Sequence, residues 1–127
     1  MFKLEHLDHV AFTVSDLDRS TRWYCDVLGF EHRYPGHWDG VPVVLGLGPT
    51  LIAVFPAQGQ DLPLIPDKAI RIAHFALQAD RQNFLLAYEE LQAQGIKCTF
   101  QDHDISHSFY FNDPDGHQLE ITTYELE

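Results

Sequence analysis

The sequence predicts an α+β fold built from two tandem βαβββ modules, and three observations carry the prediction. The first is an internal repeat. The segments LDHVAFTVSDLDRSTRWYCDVLGFE and IAHFALQADRQNFLLAYEELQAQGIK follow one plan: His9 and His74 stand 65 residues apart, Ala11 and Ala76 likewise, and Gly29 and Gly95 stand 66 apart. The second is periodicity, because in each copy a run alternating with period two gives way to a helical pattern. The third is punctuation: a capping side chain precedes each helical pattern and a glycine follows it.

In the first copy, residues 7–14 read as a strand and Ser15 or Asp16 as the helix cap. Trp23, Tyr24, Val27 and Leu28 form the apolar stripe of the helix that follows, and Gly29 stops it. Short strand-like runs follow at about 31–34, 41–47 and 50–55. In the second copy, residues 72–79 read as a strand and Asp80 as the cap, and Phe84, Tyr88 and Leu91 recur at helical spacing up to Gly95. Strands at 96–101, 108–112 and 118–124 complete it, the last two joined by the turn Asp113-Pro114-Asp115-Gly116. The plan makes 1–127 one domain: module one at about 4–57, a Pro-rich polar linker at about 58–68, and module two at about 69–125.

Composition narrows the function classes. The chain has 127 residues, 45% of them hydrophobic, enough for one core. Nineteen acidic residues against eight basic ones give a formal net charge of -11, which repels phosphate backbones and anionic lipid, so nucleic acid and membrane surfaces are not expected partners. The N-terminal MFKLEHLDHV carries no apolar core of signal-peptide length, and the expectation is a cytoplasmic protein. Cys25 and Cys98 lack the spacing of a metal finger or redox pair and read as reduced structural thiols.

Strand parity singles out three side chains. In the first strand Val10, Phe12 and Val14 share one face, and Leu7, His9, Ala11 and Thr13 share the other. Ala73, Phe75 and Leu77 repeat the apolar face in the second copy, opposite Ile72, His74, Ala76 and Gln78. With helices over the apolar faces, both imidazoles project from the uncovered side, each followed two residues later by a small alanine. In the last strand Glu120 alternates with Leu119 and Ile121 and lies on the less apolar face. Two imidazoles and a carboxylate suit Fe(II), and also Zn, Mn, Ni or Co.

These residues resemble the vicinal oxygen chelate superfamily, which includes glyoxalase I, bleomycin-resistance proteins, fosfomycin-resistance thiol transferases and extradiol dioxygenases. The matching pieces are LDHVAFTVSDLDRSTRWYCDVLGFE, IAHFALQAD and FYFNDPDGHQLEITTYE. The resemblance implies a curled mixed sheet around a metal-binding cup, with His9, His74 and Glu120 as ligands of a divalent metal. It implies a small-molecule substrate with vicinal oxygens, and a homodimer. The glyoxalase I type takes a fourth ligand from the last strand of module one, but TLIAVF offers none. The balance therefore moves toward extradiol dioxygenases, which use Fe(II), or thiol transferases. An antibiotic-sequestering protein of the bleomycin-resistance kind is the non-enzymatic alternative, and the ligand trio speaks against it.

DHDISHSFYFNDPDG resembles the stretch of extradiol dioxygenases in which a His and a Tyr precede the Glu ligand. His103 stands seventeen residues before Glu120 and Tyr110 ten. By that resemblance His103 is the acid/base and Tyr110 a hydrogen-bond donor to a substrate oxygen, with His107 a substitute if the loop's register shifts. His6, His32, His37 and His117 read as surface residues, although His37 and Trp38 occupy a loop able to border a pocket. Parity puts Phe109 and Phe111 on the side opposite Tyr110.

Overall fold

The computed structural model describes residues 1–58 and 72–127. It contains two compact units, Met1–Pro63 and Leu64–Glu127, which repeat one βαβββ topology. The expected linker at 58–68 lies, apart from Gln58, outside the described residues.

In the first unit, strand β1 (His9–Val14) leads into helix α1 (Leu17–Leu28), followed by β2 (Glu31–Arg33), a 3-10 turn at Trp38–Gly40, β3 (Val43–Leu47) and β4 (Thr50–Pro56). The strand order is β1-β4-β3-β2. β1 runs parallel to β4, and the other pairs are antiparallel. Of the two capping candidates it is Asp16 that serves, its carboxylate accepting the Arg19 N–H at 3.0 Å. Gly29 ends the helix at φ 79°, a left-handed conformation that glycine adopts without a Cβ penalty. Tyr24 is fully buried under the helix, its ring 5.8 Å from Phe12 and 5.7 Å from Phe30. Val14, Leu45, Ile52 and Val54 complete this core, all from the strand parity opposite His9.

The second unit comprises β5 (Phe75–Gln78), α2 (Arg81–Ala93), β6 (Thr99–Asp102), β7 (His107–Asn112) and β8 (Gln118–Thr123), in the order β5-β8-β7-β6. Again the first and last strands pair in parallel. Asp80 caps α2 by accepting the Asn83 N–H at 2.8 Å. The helix closes at Gln94, so Gly95, at φ 83°, follows the cap instead of forming it. Phe84 and Tyr88 pack on Phe109, with ring centroids 5.3 and 5.1 Å away. Phe109 and Phe111 are buried on this helix side, as alternation requires. The turn before β8 is held by Asp113, whose Oδ1 accepts the N–H groups of Asp115 (3.0 Å) and His117 (2.9 Å).

Four strands begin later than the sequence suggested, among them β6, which starts at Thr99 and not at 96. β1 starts at His9 and β5 at Phe75, because the parallel ladders begin at His9↔Leu51 and Phe75↔Leu119. His74 therefore stands just ahead of its strand. β3 starts at Val43, since Pro42 has no N–H to offer a ladder. Among the described residues no helix is long and apolar enough to cross a membrane.

Candidate active site

The second unit brings four of the predicted residues together on the sheet face away from α2. Glu120 in β8 has Ala76 of β5 opposite it on one side and Tyr110 of β7 on the other. The short Ala76 side chain leaves room for His74 to lean over, and His74 Nε2 lies 2.9 Å from Glu120 Oε1. The Tyr110 ring stands edge-on to the His74 imidazole, with centroids 5.5 Å apart and planes at 89°. Beyond it, the Tyr110 hydroxyl is 2.9 Å from His103 Nε2.

His103 sits in the loop between β6 and β7. Its own N–H donates to the Ser106 carbonyl, and its carbonyl accepts from Ile105, both at 2.9 Å. The loop thus returns the imidazole to the sheet face one strand away from Glu120. Removal from water pushes the Tyr110 phenol above its ordinary pKa, and the charge of Glu120 and a hydrogen bond to it add to the rise. The phenol therefore stays protonated through the neutral range, as a donor must.

Glu120 is itself buried and held from its far side. Ser108 donates its hydroxyl to Glu120 Oε2 at 2.6 Å, and the Ser108 oxygen is 2.9 Å from Thr122 Oγ1. Ser108 has one proton to give, and the carboxylate takes it. The Thr122 hydroxyl has both the Ser108 oxygen (2.9 Å) and the His107 carbonyl (3.4 Å) within reach, so two hydroxyls stand in line behind the carboxylate. The sequence reading missed both residues, although parity with Tyr110 and Glu120 puts them on the site face.

His9 belongs to the first unit. Its Nδ1 is 2.8 Å from Asp8 Oδ2, which fixes the ring's polarity and leaves Nε2 available as a donor atom. Ladder register explains why this unit offers no carboxylate at the position that Glu120 takes in the second. Ala11 pairs with Ala53, and Ala53 with Val44, just as Ala76 pairs with Glu120 and Glu120 with Tyr110. Ala53 and Val44 therefore occupy the ladder positions of Glu120 and Tyr110. Among the described residues, neither unit by itself collects three metal-binding side chains.

His107 points to the opposite face from Tyr110. There its Nδ1 is 3.0 Å from Arg81 Nη1, its Nε2 is 3.8 Å from Asp102, and its ring stacks edge-on to Phe100 at 5.4 Å. Odd-even parity thus removes it as a substitute for His103. His37 and Trp38 form an exposed aromatic cluster with Tyr34. A cleft of ≈ 370 Å³ lined by Gln78, Ala79, Asp80, Tyr124 and Glu125 lies at the C-terminal end of β5, the end away from His74.

Residues 6–121 match the family described as the Glyoxalase/Bleomycin resistance protein/Dioxygenase superfamily. The chain is 30% identical to a catechol-2,3-dioxygenase of Bacillus subtilis over 91% of its own length, but spans only 40% of that protein. It is 29% identical to the metallothiol transferase FosB of Staphylococcus epidermidis, over 98% of this chain and 86% of that one. Among solved structures, a lactoylglutathione lyase from Agrobacterium tumefaciens superposes with a TM-score of 0.74 at 22% identity, covering 94% of each chain, and shares the fold.

Proposed function

Because the chain belongs to the glyoxalase/bleomycin resistance protein/dioxygenase superfamily, we propose that it is a metal-dependent enzyme acting on a small molecule with vicinal oxygens, most concretely by extradiol cleavage of a catechol-type ring. The observation that carries this reading is the run His74, Glu120, Tyr110, His103 across one sheet face. It supplies two metal donors, a neutral phenol and a second imidazole in sequence. The donor set fits a divalent metal: His74 Nε2 and Glu120 Oε1 already face each other, and Glu120's other oxygen is satisfied by Ser108. His9, with Nε2 available, is the third ligand in this proposal.

A metal held there, Fe(II) in the dioxygenase reading, would offer a chelation point for both diol oxygens and a conduit through which the diol's own electrons reach O2. The protein's own groups do the rest. His103 accepts a proton from the incoming diol and later returns it, a role for which imidazole is suited near neutrality. Tyr110 donates a hydrogen bond to a substrate oxygen, and its raised pKa keeps that proton in place. A homodimer is part of the proposal, supported by the exposed apolar side chains Phe2, Leu4 and Leu7 at the chain start.

The experiment is anaerobic reconstitution with Fe(II) followed by oxygenated assay of a catechol panel. A ring-cleavage chromophore that disappears in His74→Ala is the expected result, and no chromophore with any diol sinks the dioxygenase reading. Thiol transfer to an epoxide is the second reading. It is supported by 29% identity to the FosB relative over 98% of this chain. Protection of growing cells against fosfomycin by the expressed protein would establish it.

A further inference from the structure

Arg33 occupies an unusual position. Among the described residues it is the one Lys or Arg in any of the eight strands. Ladder register puts it on the His9 face of the first sheet: Arg33 pairs with Val44, Val44 with Ala53 and Ala53 with Ala11, two residues from His9. Its guanidinium lies over Gly46, where a Cβ would collide with Arg33 Cζ, Nε and Nη1.

Gly46 does not have a positive φ, so its backbone conformation would accept another residue. A glycine inside a strand costs roughly 0.5–1 kcal/mol, and the reason for it here is the close approach of the guanidinium to bare backbone. Arg33 Nη2 donates to the Gly48 carbonyl at 3.2 Å, which pins the group across β3. No carboxylate among the described residues pairs with it, even in a chain of net charge -11. Arginine presents five N–H donors in a plane, so the remaining ones are left to a ligand.

We propose that Arg33 is an anion-recognition residue, giving the His9 face a fixed cation for a carboxylate or comparable anionic group on the substrate. His9, Leu51 and Gly46 form one row across β1, β4 and β3. The guanidinium is therefore two strand spacings, roughly 9–10 Å, from the histidine's row position. A single-ring substrate held at His9 through its oxygens would reach it with an acid substituent on the ring. Glu31, opposite Gly46 in the ladder, shares this face without forming an ion pair with the guanidinium, and Arg33 is the strand cation on the face that can draw in an anionic group the net charge repels. The inference rests on the reading of His9's face as the substrate face.

The test compares equilibrium binding of 3,4-dihydroxybenzoate and 4-methylcatechol to anaerobic, Fe(II)-loaded protein. In the wild type the acid binds tighter. Arg33→Met weakens the acid by about 10- to 100-fold, as loss of a charged hydrogen bond does, and leaves the methyl compound unchanged. Gly46→Ala moves the same way because its Cβ displaces the guanidinium, and Arg33→Lys restores part of the loss. Equal binding of the two catechols in wild type and Arg33→Met overturns the anion role and leaves the catechol reading standing. Equal weakening of both in Arg33→Met shows a structural residue and overturns it too, with thermal melts as the control. Binding of neither compound removes the catechol reading and this inference together.

Discussion

The Ser108 hydroxyl donates to Glu120 Oε2 at 2.6 Å, inside a sheet where Ser108 is fully buried and Glu120 is 8% exposed. A short bond from a neutral donor to a buried carboxylate fixes which oxygen faces His74 and which faces the interior. Ser108→Ala leaves that carboxylate oxygen buried with no donor. The expected loss is about 1–3 kcal/mol of stability in denaturant unfolding. Affinity for Zn(II) or Co(II) should fall about 10-fold or more in a titration, as when an outer-sphere partner is removed. Thr122→Val, one hydroxyl further back, should have the same sign and a smaller size. Unchanged metal affinity in Ser108→Ala would mean that Glu120 needs no such support.

His103 and Tyr110 touch through Nε2 and the phenol oxygen at 2.9 Å, but the dioxygenase reading gives them separable duties. Proton transfer by a positioned side chain is worth about 10²- to 10⁴-fold in rate. His103→Gln should therefore lower kcat by at least the smaller of these factors with KM little altered. Tyr110→Phe removes a substrate hydrogen bond and keeps the ring against His74, so its effect should fall on kcat/KM. Steady-state kinetics on any turned-over catechol separates the two. Identical losses in kcat and KM for both variants would show a single structural unit instead.

The repeat, both helices and all eight strands were legible because each rests on local chemistry: alternation in the strands, Asp16 and Asp80 as caps, Gly29 as a stop. The pairing of His74 with Glu120 was legible as shared parity, though the 2.9 Å approach depends on Ala76 standing beside them in the ladder. His107 illustrates the limit. Sequence left it as an alternative to His103, and one residue of register sends it to the opposite face with Arg81 and Asp102. Ser108 went unnoticed because a serine inside a strand carries no pattern of its own. Arg33 went unnoticed because its meaning lies in the glycine on the neighbouring strand, and antiparallel register is a nonlocal fact.

The two thiols supply a pH prediction independent of any metal. Burial raises the pKa of both Cys25 and Cys98, and the charge of Asp26 adds to the rise at Cys25. The thiolate is the reactive form, so each should alkylate more slowly than a free thiol at pH 8 and gain rate at higher pH than a free thiol does. The sign for stability follows, because a pKa higher in the folded than in the unfolded chain favours folding while the thiols are protonated. That contribution is complete below the ordinary thiol value of about 8.5 and is lost as pH climbs through the raised values. Asp26→Asn removes the second cause at Cys25 alone, so it should speed iodoacetamide labelling of Cys25 and leave Cys98 unchanged. Mass spectrometry of time-resolved labelling reads the two sites separately, and faster labelling of Cys98 would show that the substitution had loosened the fold rather than removed a charge.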